Sequence, residues 1–343
     1  MTGRWKTEMT FNYTKLPLYP RERVEAISKE VSKLRAKVVM RSAHDLAVSH
    51  VQTVLHNREL NLLQPECKEK MGVIITGDSG AGKSHFLRKR IHTLPEFQAP
   101  SSLAIVKFKA PMKLQSAGHL TAQALGYPTV RNNEKHDYWS DVPLRLQALG
   151  TRAIQFDETQ DAFIRANRLS ADNFIQTFKG LMTHEPYAVA LILTGTRALE
   201  PHFKINDQQG YRRFYHVTLP NLHFEADAAF VRKRVDEYCE LAHLENRLEG
   251  HDYHRLMHSA SRALGRTFSR VLDGIEEAML ANSDGLERIH LAHAYERENT
   301  NNNSRVNVFV AEDYLRIDPT TQDFVSSSEP AKRKSKPRSE GKY

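Results

Sequence analysis

The residues with the clearest chemistry in this chain form the run GDSGAGKS. It matches the pattern G-x-x-x-x-G-K-[ST], in which backbone N–H groups turn inward and cradle phosphates. The lysine of this pattern reaches the β- and γ-phosphates, and the hydroxyl after it ligates Mg²⁺. The run therefore predicts a site for ATP and Mg²⁺. Its contacting residues are expected to be Gly77, Asp78, Ser79, Gly80, Ala81, Gly82, Lys83 and Ser84.

Two adjacent carboxylates end the apolar run AIQFDE (153–158). In phosphate-loop enzymes one acid supports Mg²⁺ through its water shell, and a second group orients or deprotonates the attacking water. We assign the first role to Asp157 and the second to Glu158. Because a binding-only protein does not need the second acid, Glu158 favours hydrolysis; the alternative is a strand that ends in ordinary solvated acids.

Two further groups of polar residues could act on the nucleotide, and each has a simpler interpretation. The hydroxyls of Thr194 and Thr196 in LTGT could hydrogen-bond the attacking water or the γ-phosphate, or simply belong to a turn. The stretches YRRF (211–214) and ALGRTFSR (263–270) carry arginines that could stabilise transition-state charge. In isolation each arginine stretch is better explained as a solvated basic cluster.

Five short apolar runs must position these groups. They alternate with helical stretches and cover 71–76, 102–108, 151–156, 188–194 and 214–219. Near-continuous apolar strands separated by helices predict an α/β fold with a five-stranded parallel sheet covered on both faces. The phosphate run follows the first strand and precedes the helical stretch KSHFLRKRI, whose N-terminus adds partial positive charge toward the phosphates.

The rest of the chain divides around this sheet. Helical spacing of apolar residues begins near residue 21, and after Pro220 the strands give way to helices. We therefore expect an N-terminal helical extension (1–69), a nucleotide-binding α/β core (70–220), a helical lid (221–318) and a disordered basic tail (319–343).

Composition indicates a globular protein with no membrane segment. The 343 residues are 40% hydrophobic and 26% charged, and no apolar run approaches the roughly 20 residues that span a bilayer. The N-terminus lacks the apolar core of a signal peptide, and Cys67 and Cys239 fit neither a disulfide framework nor a metal pattern. A cytoplasmic location with reduced thiols is the default expectation.

The net charge of +8 is concentrated at one end of the chain. Residues 330–343 carry +5 of it, which leaves only +3 for the remaining residues, so any DNA-binding surface on the folded body must be local. The tail could be a solubilising segment or an electrostatic arm for phosphates or an acidic partner.

With these residues in hand, the chain resembles AAA+ ATPases, and within them the TniB/TnsC family of transposition regulators. The resemblance runs from about residue 70 to 295 and follows the order GDSGAGKS, FDETQD, FIQTFKGLM, LILTGTRAL, DQQGYRRF, LPNL, LGR and IHLAHAY. The phosphate run is shared with many families, whereas the later series in this spacing is more specific. The chain departs from the family at Thr159 and Gln160, where a histidine is usual, and in SASRALGR before the lid arginine.

The resemblance implies roles for the remaining candidate residues. Thr194 and Thr196 would lie near the sensor 1 position, Arg212 or Arg213 would be the finger that reaches a neighbouring subunit, and Arg266 would be sensor 2 of the lid. The family implies ATP-dependent rings or filaments on duplex DNA that link a target-site selector to a transposase, in the bacterial cytoplasm near the nucleoid.

DNA contacts are the least specified part of this prediction. Lys113, Arg131 and Lys135 lie on the connections between the second and third strands and are candidates by position, although each could be an ordinary surface charge. Two other functions stay open. A small-molecule kinase with a phosphate loop would transfer the phosphate to a product, and a structural adaptor would hold the nucleotide as a static clamp.

Overall fold

A computed structural model describes residues 17–65, 67–127, 136–164, 166–206, 208–298, 304–321 and 323–324. Its central feature is a five-stranded parallel sheet. The strands are β1 (Gly72–Gly77), β2 (Leu103–Lys107), β3 (Ala153–Asp157), β4 (Ala190–Gly195) and β5 (Phe214–Leu219), in the spatial order β2-β3-β4-β1-β5. Each strand overlaps the apolar run that predicted it, and the predicted α/β class is confirmed.

The register brings the carboxyl ends of three strands together. Thr76 of β1 pairs with Gly195 of β4, and Leu193 of β4 pairs with Phe156 of β3. Because all the strands are parallel, whatever follows β1, β3 and β4 emerges at the same edge of the sheet. The phosphate loop, the carboxylate pair and the threonines therefore converge there.

Helices cover both faces of the sheet, and the C-terminal helices pack with one another to form the lid. They are α1 (Arg21–Arg35), α2 (Ser42–Leu63), α3 (Lys83–Phe86), α4 (Leu114–Ala124), α5 (Tyr138–Leu149), α6 (Arg168–Thr183), α7 (Glu200–Asn206), α8 (Gln208–Arg212), α9 (Ala228–Leu241), α10 (Gly250–Ser259), α11 (Leu264–Leu280) and α12 (Arg288–Glu298). Among the described residues, none of these helices combines the length and apolar character needed to cross a membrane.

The alternation of side chains along β1 explains the two cores of the sheet. Ile74 belongs to a core shared with α4, α5 and α6, whereas Val73 and Ile75 belong to a core shared with α2 and α3. Successive side chains of a strand point to opposite faces, so an unbroken apolar strand requires helices on both sides.

The lid helices have a hydrophobic core of their own. Residues of α9, α10, α11 and α12 share one cluster of buried side chains, which also takes in Val308, Phe309 and Ile317 from the segment after α12. Arg255 of α10 holds this segment, because its Nη1 donates hydrogen bonds of 2.7 Å to the carbonyls of Val308 and Ala311.

The two N-terminal helices pack on different parts of the molecule. Val31 of α1 is buried in the lid core, and Arg35 forms an ion pair of 2.5 Å with Asp273 of α11. Val51 and Val54 of α2 are buried instead against the sheet. Residues 36–41, which join the two helices, therefore run from the lid to the α/β core that contains the sheet.

Candidate nucleotide-binding site

The phosphate loop leaves β1 at Gly77 and enters α3 at Lys83. Gly80 and Gly82 have φ angles of 84° and 88°, a left-handed conformation in which a side chain is strained. Lys83 is 8% exposed, and its Nζ donates to the carbonyls of Gly77 (2.7 Å) and Asp78 (3.1 Å). The ammonium thus lies inside the curve of the loop.

Burial and charge act in opposite directions on Lys83. Burial lowers the pKa of its ammonium below the ordinary value, while the nearby carboxylates Glu158, Asp157 and Asp78 raise it. An anion beside this ammonium would favour its charged form. The ammonium makes its hydrogen bonds with backbone carbonyls, which a phosphate group can replace as acceptors.

Asp157 is held in place at the end of β3. Thr194 is fully buried, and its hydroxyl donates to Asp157 Oδ1 at 2.6 Å. The amide of Glu158 donates to the same oxygen at 3.1 Å, and no donor among the described residues meets Oδ2. The structure therefore places Thr194 against Asp157. Oδ2, with the exposed Ser84, fits an oxygen-rich Mg²⁺ shell.

Glu158 occupies a strained backbone conformation beside the loop. Its φ of 54° and ψ of 41° are left-handed, which for a residue other than glycine costs about 1–3 kcal/mol. Its Oε2 accepts a hydrogen bond of 2.7 Å from Gln160 Nε2, and the backbone amide of Thr196 donates to Gln160 Oε1 at 3.0 Å. The Gln160 side chain therefore links the backbone of Thr196 to the carboxylate of Glu158.

The first turn of α11 packs directly on the phosphate loop. The amide of Arg266 donates to the carbonyl of Gly80 at 2.9 Å, and a Cβ added to Gly80 would lie 3.2 Å from Arg266 Nε. A Cβ added to Gly265 would lie only 2.7 Å from Gly82 Cα. Glycine is required at Gly265 by this close approach, and it brings Arg266 to the loop.

A cavity of about 430 Å³ opens beside the loop. Its walls come from the loop, from α11 and from the connection between α1 and α2, and the residues of that connection are Lys37, Val38 and Val39. His44 also lines it, edge-on to Phe86, and burial lowers the pKa of this imidazole. The volume is within the range of small-molecule sites, about 300–1,000 Å³.

The sequence did not predict that the connection between α1 and α2 would line this cavity. Residues 36–41 carry no motif, and only their position between two helices that pack on different cores brings them to the loop.

Two further side chains hold the phosphate loop and were also missed. Asn221, just after β5, donates through Nδ2 to Asp78 Oδ2 at 2.5 Å, and Arg197, just after β4, lies 3.3 Å from Asp78 Oδ1. Both belong to motifs quoted above, LPNL and GTRAL, so their spacing after two strands was the available signal.

Arg212 and Arg213 lie at the opposite edge of the sheet. The carbonyl of Arg213 accepts hydrogen bonds from the amides of Met71 (3.0 Å) and Gly72 (3.1 Å), where β1 begins. The loop follows the end of β1, roughly 17 Å away at about 3.3 Å per residue. Neither arginine can therefore contact the loop of its own chain.

The candidate DNA contacts are only partly described. Lys113 is exposed immediately before α4. Arg131, Lys135 and residues 325–343 of the basic tail lie outside the described residues.

Comparison with known proteins identifies the core of this architecture. Residues 67–203 match a family model described as an AAA domain. Over these residues the chain is similar to AAA domains. The match takes in the phosphate loop, the carboxylate pair and β4, and it ends before Arg212, β5 and the lid.

Solved structures extend the likeness beyond the AAA domain. Cdc6p from Pyrobaculum aerophilum is similar with a TM-score of 0.55 at 11% identity, over 76% of this chain and 69% of that one. The Aeropyrum pernix ORC2 protein has a TM-score of 0.50 at 13% identity, over 84% and 71% of the two chains. At these identities the likeness shows the AAA+ fold. No curated protein matches the sequence.

Proposed function

We propose that this protein binds and hydrolyses ATP with Mg²⁺ and that the nucleotide controls its assembly on duplex DNA during transposition. One observation carries the nucleotide part. Lys83, the Asp157–Thr194 pair, Glu158 and Arg266 are held by separate elements around one phosphate loop. The Aeropyrum pernix ORC2 structure, described as ADPNP-ADP complexes, supports an adenine nucleotide for this fold.

The roles follow from these contacts. Lys83 would exchange its two loop carbonyls for phosphate oxygens, and Ser84 and Asp157 would hold Mg²⁺, with Asp157 acting through water. Bound Mg²⁺ supplies charge neutralisation at the phosphates. Glu158 orients or deprotonates the attacking water, Thr194 fixes the Asp157 carboxylate, and Arg266 contacts the phosphates from the lid.

Support for transposition comes from the motif series that resembles the TniB/TnsC family. The partners would be duplex DNA, further copies in a ring or helical filament, a target selector and transposase subunits. In such an assembly Arg212 or Arg213 acts on the nucleotide of a neighbouring subunit, which agrees with their distance from their own loop. Thr196 would lie near the γ-phosphate, and Lys113, Arg131 and Lys135 remain candidate DNA contacts.

Electron microscopy with duplex DNA tests the assembly. We expect rings or filaments with a non-hydrolysable ATP analogue, and none with ADP or without nucleotide. Lys83→Ala serves as a control, because loss of the ammonium should abolish ATP binding and assembly together. Absence of assemblies with the analogue contradicts the DNA part of the proposal.

The reaction itself is tested separately by product analysis. Release of free phosphate from ATP is expected. A phosphorylated small molecule in place of free phosphate would indicate a kinase instead, and neither product would indicate a static clamp.

A further inference from the structure

Gln160 lies between the two polar segments that flank the predicted water site. It is 9% exposed, in the short helical turn Thr159–Ala162 after β3. Its carboxamide is hydrogen-bonded at both ends: Nε2 donates to Glu158 Oε2 at 2.7 Å and, at a longer 3.4 Å, to Asp161 Oδ1, while Oε1 accepts from the amide of Thr196 at 3.0 Å. The side chain therefore connects the end of β3 to the end of β4.

The orientation of this carboxamide is determined by its partners. The amide of Thr196 can only donate, so it must meet Oε1 of Gln160. The NH₂ group then faces a carboxylate oxygen of Glu158, which accepts its hydrogen bond. A flipped amide would set donor against donor and acceptor against acceptor, so only this orientation satisfies both contacts.

The neighbouring backbone is adapted to this side chain. A Cβ added to Gly195 would lie 2.3 Å from Gln160 Oε1, so the last residue of β4 must be a glycine while Gln160 stays in place. On the other side, the amide of Asp161 donates to the carbonyl of Glu158 at 2.9 Å and closes the turn. The turn presents the Glu158 side chain to Gln160 despite the left-handed backbone of Glu158.

We propose that Gln160 is a positioning residue for Glu158. Its NH₂ group holds Oε2, and no donor among the described residues meets Oε1, so that oxygen is left to accept a hydrogen bond from the attacking water. Oε1 of Gln160 accepts a hydrogen bond from the amide of Thr196, so Gln160 connects the segment after β4 to the Glu158 carboxylate. A shift of that segment would therefore move Glu158. This inference rests on the proposed hydrolysis and adds a residue to it.

Gln160→Leu removes the hydrogen bonds to Glu158, Thr196 and Asp161 while keeping a buried, apolar side chain. We expect kcat for ATP to fall about tenfold to hundredfold, part of the loss that removal of a general base produces. The KM for ATP and the Kd of a non-hydrolysable analogue should change less than threefold. Gln160→Glu keeps an acceptor for Thr196 but cannot donate to Glu158, so its kcat should fall as far.

Gly195→Ala disturbs the Gln160 carboxamide from the β4 side. The added methyl group should displace the carboxamide and lower kcat by a similar factor. In the double variant Gly195→Ala/Gln160→Leu the two losses should not multiply, because both remove one interaction. A multiplied loss would show that the two residues act independently and would overturn the proposal.

Gln155→Leu is the matched control. Gln155 is a buried glutamine of β3 whose Oε1 is hydrogen-bonded to His92 Nε2 at 2.7 Å. Its loss should leave kcat within threefold of the original. An equal loss of kcat in both glutamine variants, or a rise in analogue Kd that parallels the loss in Gln160→Leu, would mean a general structural effect and overturn the assignment.

The failure of this inference is distinguishable from failure of the proposed function. If the original protein releases no phosphate from ATP, the proposed hydrolysis is wrong. If it does, and Glu158→Gln stops the reaction while Gln160→Leu does not slow it, only the role of Gln160 is wrong.

Discussion

At the scale of single residues, the site contains side-chain contacts that its sequence motifs do not indicate. The sequence pattern identified Lys83, Asp157 and Glu158 as chemically important, and these residues do surround one loop. It did not indicate that Thr194 bonds Asp157, or that Gln160 bonds Glu158. Thr194 and Asp157 lie on strands that are distant in sequence, and the sheet register brings them together. Gln160 is only two residues from Glu158, and the left-handed turn at Glu158 lets the two side chains meet.

Glu158→Gln tests the base assignment. The amide cannot accept a proton, so phosphate release should fall about 10²- to 10⁴-fold. Analogue binding should persist, and ATP itself should now support the assembled state. The measurements are phosphate release and analogue affinity.

The control for this variant is Glu185→Gln, at an exposed acid before β4 and thus at the far edge of the sheet. It should leave both quantities unchanged. Loss of analogue binding in Glu158→Gln would show that Glu158 holds the nucleotide rather than activating water.

Helices and strands were predictable to different degrees. The five strands follow β-branched, apolar runs, and the lid helices follow their apolar spacing, so local pattern was sufficient for both. The packing of α1 on the lid and of α2 on the sheet was not predictable. An amphipathic helix needs an apolar partner surface, but its sequence does not state which one.

The contact between α11 and the phosphate loop leads to a prediction for Gly265→Ala. The methyl group would meet backbone atoms of Gly82 and Gly80 at 2.7–2.8 Å, and backbone cannot yield as a flexible side chain does. Overpacking of this kind costs about 1–3 kcal/mol, so analogue affinity should fall roughly tenfold to hundredfold as α11 withdraws.

Gly250→Ala is the control for the lid. Gly250 begins α10, and an added Cβ there meets nothing within 4 Å. Calorimetric titration with the analogue should therefore show unchanged affinity for this variant. Equal affinities in both variants would mean that the lid does not need to touch the loop for binding.

At the scale of the whole molecule, the phosphate loop and the candidate arginine finger lie at opposite edges of the sheet. Arg212 and Arg213 stand at the start of β5, while the phosphate loop lies at the other edge of the sheet. A chain arranged in this way can complete its site only with a second copy, if the finger role holds.

Mixing two inactive variants tests this arrangement. Arg212→Ala/Arg213→Ala keeps an intact loop, and Glu158→Gln keeps intact arginines. Each alone should hydrolyse ATP slowly, while analogue affinity of the monomeric double variant stays unchanged. In mixed assemblies the arginines of one variant should serve the loop of the other, so phosphate release should exceed that of either alone. No recovery at any mixing ratio would exclude action between subunits.

Residues 36–41, which join α1 to α2, extend the cavity beside the phosphate loop beyond the region that matches the family model. The AAA domain match begins at residue 67, yet Lys37, Val38 and Val39 already line the cavity beside the phosphate loop, and Arg35 of α1 forms an ion pair with Asp273 of α11. A fragment cut at the boundary of the matched domain would keep every motif residue up to β4 and lose one side of the cavity. The region that matches the family model and the region that encloses this cavity therefore have different first residues.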